Sequence, residues 1–363
     1  MAYTTIDDPS AYFQATLYTG NGANTVVTNG GNSDLKPDFL WIKNRTAGYA
    51  HFVVDSNRNI SYAQNSSNAP YLETDSTAVE NNNQNWMQSV NTDGFTTGIA
   101  EHTNCNSGSA YVAWQWKANG GTTTAFSESG NNPGGTYQAN TTAGFSIVTY
   151  TGTGAAGTVT HGLGVAPKLI IIKNRDVADP WAVYYGDATD YLVLNTTAAT
   201  VDNAAWWNDT APSSTVFTVN TDHSVNADGE TYVAYCFAEV QGYSKFGSYV
   251  GNGNADGAFV YLGFAPAWLL IKRFDAGATN WNLYDNKRES SGGGFAAGQD
   301  ASRRLFPNNA EAESANTVAD EMQFTSNGFK LRGTQGSLNG SGNEFIYMAF
   351  AENPFVTSTG VPA

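Results

Sequence analysis

Apolar and polar positions along this chain follow one another in short runs without helical spacing. Phe145-Ser146-Ile147-Val148-Thr149-Tyr150, bounded by Gly144 and Gly152, carries β-branched and aromatic residues on both faces, the pattern of a strand covered from two sides. A glycine-rich turn and the short segment Thr158-Val159-Thr160-His161 follow, then Gly162 and Gly164. Pro167 marks the start of the most apolar strand, Ile170-Ile171-Ile172-Lys173, because proline is tolerated where a strand begins and not in its middle. Asn174-Arg175 predicts a turn, and Trp181-Ala182-Val183-Tyr184 the returning half of a hairpin. Tyr232-Val233-Ala234-Tyr235-Cys236-Phe237 closes the unit.

This order of elements occurs three times. Tyr150-Thr151-Gly152-Thr153-Gly154 is matched by Tyr18-Thr19-Gly20-Asn21-Gly22 and Tyr249-Val250-Gly251-Asn252-Gly253. The lysine strand is matched by Leu40-Trp41-Ile42-Lys43 after Pro37 and by Leu269-Leu270-Ile271-Lys272 after Pro266. Lysine follows tyrosine by 25 residues in the first copy and by 23 in the others, and always follows the proline by 6. The returning strands are His51-Phe52-Val53-Val54-Asp55 and Trp281-Asn282-Leu283-Tyr284-Asp285; the closing strands begin at Tyr111 and Phe345. Asp93-Gly94-Phe95 and Asn327-Gly328-Phe329 form tight turns 18 residues before the closing strand, and Asp222-His223-Ser224 is assigned the same slot in copy two at a spacing of 10.

Units of this size are large enough to bury cores of their own. The expected fold is all-β, three tandem antiparallel β-sandwich modules of jelly-roll type at 1–117, 145–240 and 244–355, followed by a tail at 356–363. Residues 118–144, rich in Gly, Asn and Thr, are expected to be a linker or extended arm. The short connection from Glu239 to Lys245 predicts that modules two and three are held in a fixed relation, with module one attached more loosely. Ala and Glu between Ala310 and Glu321 predict one short helix.

Composition narrows the function. Charged residues make up 13% of the 363, and the net charge of −15 lacks the broad positive field that draws proteins to phosphate backbones, so nucleic acid is not an expected partner. No apolar run is long enough to cross a bilayer and the first residues do not read as an export signal, so neither membrane insertion nor secretion is expected. Cys105 and Cys236 occupy non-matching positions and read as free thiols.

Few motifs carry chemistry. Gly152-Thr153-Gly154-Ala155-Ala156-Gly157 fits the dinucleotide pattern, but Thr158-Val159-Thr160 follows where a helix is required, so a hairpin turn is expected. His51, His102, His161 and His223 are never at ligand spacing, and acidic pairs such as Asp7-Asp8, Glu73-Asp75 and Asp320-Glu321 are scattered; no metal, cofactor or catalytic group is expected. Lys43, Lys173 and Lys272 are expected to lay their stems on apolar surface, with the ammonium reaching water or a carboxylate. Trp86, Trp206 and Trp207 lie beside amide side chains outside the repeated strands. They are the candidate ligand or interface residues: exposed rings with neighbouring amides suit sugars, and aromatic enrichment equally suits a subunit interface.

The run Asn140-Thr141-Thr142-Ala143-Gly144-Phe145 through Tyr150-Thr151-Gly152, continuing to His161-Gly162-Leu163-Gly164, Pro167 and Ile172-Lys173-Asn174-Arg175, resembles a repeat of tailed-bacteriophage structural proteins. It is most similar to marine and cyanobacterial phage proteins described as tail-fibre-like or of unknown virion function. Thr5-Ile6-Asp7-Asp8-Pro9-Ser10-Ala11-Tyr12-Phe13-Gln14 resembles their beginning, and copy three departs from the pattern at Arg273-Phe274. The resemblance implies a virion component that is not an enzyme. It is expected to be a tail fibre, spike or receptor-binding protein touching host surface polysaccharide, or alternatively a capsid or tail decoration protein. Other virion proteins are the expected partners, with a homo-oligomer, trimeric for example, or a pseudo-threefold knob within one chain.

Overall fold

The computed structural model describes residues 3–58, 69–83, 86–100, 103, 106–288, 303–315 and 322–363. Each copy lays its four principal strands in the same order. The opening strand (Phe13–Thr19, Phe145–Thr151, Ser244–Val250) pairs with the closing strand (Ala110–Trp116, Thr231–Phe237, Glu344–Pro354). On its other edge the closing strand pairs with the lysine strand (Phe39–Asn44, Leu169–Asn174, Phe264–Arg273), and that strand with the return strand (Phe52–Asp55, Ala182–Tyr184, Asn282–Asp285). All of these pairings are antiparallel.

Placing the closing strand inside the sheet explains its composition. Both edges are hydrogen-bonded and both faces are covered, so its apolar residues run without the polar alternation of a half-exposed strand. Val112, Trp114 and Trp116 face one core shared by all three copies, whereas Tyr111 and Ala113 face a core belonging to copy one alone. The same period of two divides Val233, Tyr235 and Phe237 from Tyr232, Ala234 and Cys236, and Ile346, Met348 and Phe350 from Phe345, Tyr347 and Ala349.

Each private core is closed by a small second sheet. Thr25–Val27, Phe95–Thr97 and Met87–Val90 form it in copy one, Gly157–Thr160 with Val216–Val219 in copy two, and Phe259–Tyr261, Gly328–Leu331 and Met322–Thr325 in copy three. The fold is therefore all-β and sandwich-like. The repeated tyrosine builds the junction between the layers: Tyr18 stacks on Tyr111, Tyr150 on Tyr232 and Tyr249 on Phe345, with centroids 5.1, 5.0 and 4.9 Å apart. Each meets a small-sheet phenylalanine edge-on (Phe95, Phe217, Phe329) and donates its hydroxyl to a backbone carbonyl (Thr103, Val225, Leu338).

Trp116, Phe237 and Phe350 occupy the same place in their closing strands and all touch one another, with centroids 6.5, 5.6 and 5.9 Å apart. Three equivalent residues meet pairwise when the sheets surround an axis, so the copies form a pseudo-threefold block. The units do not bury their cores alone: one face of each sheet is dry because the other two cover it.

Several expectations change. The phenylalanine turn of copy two is at Phe217, in Val216–Val219, and Asp222 instead caps the short helix His223–Asn226, donating no strand to that slot. Residues 118–144 are not a free linker. Gly135–Asn140 pairs along the whole opening strand of copy two, and Thr124–Phe126 pairs beyond it. Its side chains are mostly polar because it lies between two units and reads as loop, yet Gln138 is fully buried and accepts from Ser56 Oγ at 2.8 Å. In the helix expected at 310–321, Ser314–Ala315 is strand, paired with Arg303–Arg304, and 316–321 lies outside the described residues. Pro37 and Pro167 precede their strands, whereas Pro266 lies within one, at a register shift that accommodates its missing donor. Among the described residues no helix is long and apolar enough to cross a membrane.

Candidate functional site

The tryptophans expected in loops are core residues. Trp86 stacks on Tyr71 at 4.0 Å and packs on Phe52. Trp206 and Trp207 form the short helix Ala204–Trp207, capped by Asn203, which presses Trp206 flat on Tyr191 at 3.6 Å and Trp207 against Tyr184. All three are less than a tenth exposed, so none presents a ring to a sugar or a second subunit. Flanking amides suggested a loop surface because a four-residue helix folding inward leaves no periodic signature. Gly152 to Gly157 is a turn into the strand Gly157–Thr160, as expected. Cys236 is a buried free thiol; Cys105, His102 and the pair Asp320-Glu321 lie outside the described residues. Among the described residues no three His, Cys, Asp or Glu side chains are placed to hold a metal ion.

The repeated lysines organise the contacts between copies. Each continues the inward-facing set of its strand at the rim of the shared core, where the ammonium is fully buried. Lys43 donates to the carbonyls of Asn44, Tyr49 and, in copy three, Ala310. Lys173 reaches Thr77 in copy one, and Lys272 reaches Thr197 in copy two. The ties run in a cycle from one to three, three to two and two to one. Burial holds each lysine down at about 8, with Asp75 opposing that shift at Lys43 and Asp179 at Lys173.

A second cyclic tie follows two residues later. Arg45 makes a bidentate pair with Glu313 of copy three (2.7 and 2.9 Å), and Arg175 makes one with Glu80 of copy one (2.9 and 2.8 Å). Behind each glutamate stands a buried ion pair, Arg288 with Asp285 and Arg58 with Asp55, both at 2.5 Å. The aspartates also accept from the neighbouring closing strand, Asp285 from Trp114 Nε1 at 2.8 Å and Asp55 from Tyr235 Oη at 2.7 Å. Burial pushes the Glu80 carboxyl up, but Arg175 and Arg58 outweigh it and hold it below its ordinary value. Trp181 and Trp281 cross the seams to the carbonyls of Glu73 and Val193. Their counterpart is His51, which accepts from Trp41 Nε1 at 3.0 Å and is kept neutral well below its ordinary range by burial, then by Lys43 and Arg288.

The seam from copy three to copy two keeps the lysine but replaces the arginines and acids of the ion-pair network. Thr200 N donates to Phe274 O at 3.0 Å, matching Glu80 N to Arg175 O and Glu313 N to Arg45 O, so Phe274 takes the place of the arginine and Thr200 that of the glutamate. Tyr185 replaces the aspartate, Ala188 the buried arginine and Met348 the donor on the closing strand. Phe274 packs on Tyr185 with centroids 5.6 Å apart, and the Tyr185 hydroxyl meets Thr200 at 2.8 Å and Asp190 at 3.3 Å.

A second asymmetry lies along the opening strands. In copy two the outer edge of that strand is covered by Gly135–Asn140, and Asn57 of copy one bridges the pair, donating to Thr136 O on the cover and to Ile147 O and Thr149 Oγ1 on the opening strand. In the other two copies the equivalent position is, among the described residues, an open cleft. One, of about 530 Å³, runs along Phe13 to Leu17 and faces Lys287 of copy three; the other, of about 350 Å³, runs along Phe246 to Ser248 and faces Tyr185 and Asp187 of copy two. Lys287 and Asp187 are the counterparts of Asn57. These two clefts are the candidate binding sites of the molecule, and sequence reasoning missed them because they arise from what covers a strand and not from the strand itself.

A protein-family profile described as Domain of unknown function (DUF7483) matches residues 8–354. The chain belongs to that family, and the match encloses all three copies. No curated protein and no solved structure matches the chain.

Proposed function

We propose, for a chain whose family match spans all three copies together, that it is a structural component of a tailed-phage particle that binds and does not catalyse. Its place is the tail, as a fibre or spike domain meeting host surface polysaccharide. The observation that carries this reading is the meeting of Trp116, Phe237 and Phe350 on one axis, because it gives a single chain the threefold character that attachment proteins otherwise obtain by assembling three subunits. The resemblance of the repeat to tail-fibre-like proteins supports it. So does the use of the buried lysines, arginines and acids in tying copies together, which leaves them as scaffold. Other virion proteins are its partners.

Decoration of capsid or tail is the second reading, favoured by the absence of a stalk among the described residues, whose helices reach four residues at most. Electron microscopy of purified particles, with gold-labelled antibody to this chain, separates the two. Label at the tail tip supports attachment and label over the capsid supports decoration. Particles that lack the chain by mass spectrometry and remain unlabelled overturn both.

A further inference from the structure

Among the described residues, one of three equivalent slots is filled by a strand of the chain's own and two are open. We infer that the open slot beside Ser244–Val250 is an acceptor for an extended peptide of a partner protein, which adds one antiparallel strand there as Gly135–Asn140 does in copy two. This inference goes beyond the proposed function and holds for a tail or a capsid location alike.

The edge is prepared for pairing. Gly251 N donates to Asn343 O, on the closing-strand side, so the period of two aims the amides and carbonyls of Phe246, Ser248 and Val250 the other way, into the cleft. In copy two the corresponding direction is the one in which Thr151 N donates to Gly134 O. Among the described residues Ser244–Val250 has the closing strand as its one neighbour, and Gly247 and Ser248 are exposed. An open edge of this kind is a template for strand addition. The slot of copy one is less accessible, because Gln14 straps the 31–33 loop beside its strand through Gly31 N and Ser33 O.

The lining defines the occupant. Partly exposed Phe246, Phe274 and Tyr185 form an apolar wall, and Asp187 takes the place that Asn57 of copy one has beside the slot of copy two, where Asn57 accepts from the Thr136 hydroxyl. Asp190 adds a second carboxylate, with Lys168 the one cation of the lining. The fitting partner is an extended segment of small and apolar residues with a basic residue at the position of Thr136.

The probe is a fluorescent peptide of residues 133–141 with Thr136→Lys, titrated into the full chain. Ser248→Pro removes an outward-facing donor and nothing that the sheet uses, a change edge strands tolerate. Binding that weakens about tenfold in Ser248→Pro at unchanged thermal stability, with Asp187→Asn weakening the lysine peptide more than the unmodified 133–141 peptide, supports the acceptor site. Protection of the Phe246 and Ser248 amides from hydrogen exchange on adding peptide to the wild-type chain reads the same contact if the proline variant misfolds. Equal binding to Ser248→Pro and wild type, or no protection at these amides, overturns the proposal. A chain that is dimeric and becomes monomeric on Ser248→Pro overturns the partner in favour of a second copy. Saturation by host polysaccharide in place of peptide overturns the peptide class.

Discussion

Two seams of this molecule are sealed by buried ions and the third by aromatic rings, although the backbone ties are the same at all three. Arg58, Asp55, Glu80 and Arg175 at one seam are matched by Arg288, Asp285, Glu313 and Arg45 at the next, and by Ala188, Tyr185, Thr200 and Phe274 at the last. The lysine and the donated carbonyl survive every replacement. Geometry at these contacts is thus set by the backbone and the shared core, while the side chains that fill the seam are free to vary provided that no charge is left without its partner. The clefts do not follow this variation, because one borders the aromatic seam at Ser248 and the other the ion-sealed seam at Lys287.

The contrast predicts unequal responses to substitution. Arg58→Met leaves Asp55 without its ion-pair partner in a buried seam, takes one of two arginines from Glu80, and is expected to cost about 3–5 kcal/mol, measured by denaturant unfolding. Arg288→Met acts the same way on Asp285 and Glu313. Phe274→Ala, at the seam without buried arginine, removes part of a half-buried ring and its contact with Tyr185 and is expected to cost about 1–2 kcal/mol. Equal losses at the two kinds of seam would remove the distinction.

The pH dependence is a smaller effect shared by all seams. Burial lowers Lys43, Lys173 and Lys272 from 10.5 to about 8, so between these values the unfolded chain binds protons that the folded chain does not, and stability rises with pH across that window. Burial raises Tyr71, Tyr184 and Tyr347 from 10.0 to about 12, which reverses the sign there: the unfolded chain has lost protons the folded chain retains, and stability falls as pH rises. Melting temperature against pH should therefore rise from about 8 and peak near 10, where the two limbs meet. Replacing all three lysines by methionine should flatten the rising limb and leave the falling one.

The smallest expected effect concerns the segment between copies one and two. Limited proteolysis should spare 135–140, since it is hydrogen-bonded to the opening strand of copy two and clasped by Asn57. Early cleavage within it would restore the linker reading.

The succession of strands along the chain, the all-β class and the tyrosine, proline and lysine spacing were legible in the sequence, because a strand covered on both faces leaves an apolar run and a repeated fold leaves repeated spacing; the place of the closing strand inside the sheet was not. The rest depends on distance in space. Lys43 looks like a surface lysine until Ala310, far along the chain, is seen to supply its carbonyl. Trp206 and Trp207 look exposed until the four-residue helix turns them inward, and Gly135–Asn140 looks like loop because the groups that hold it, Ser56 and Asn57, lie far away in the chain. The clefts left no trace in sequence at all.

The central claim is that the three copies are one folding unit built around Trp116, Phe237 and Phe350, and scanning calorimetry tests it most directly. A shared core predicts one transition for the whole chain, with calorimetric and van't Hoff enthalpies in agreement and Trp116→Ala shifting that single transition downward as a whole. Two or three resolved transitions, with Trp116→Ala moving one and leaving the others in place, would show copies that fold independently and contradict the account.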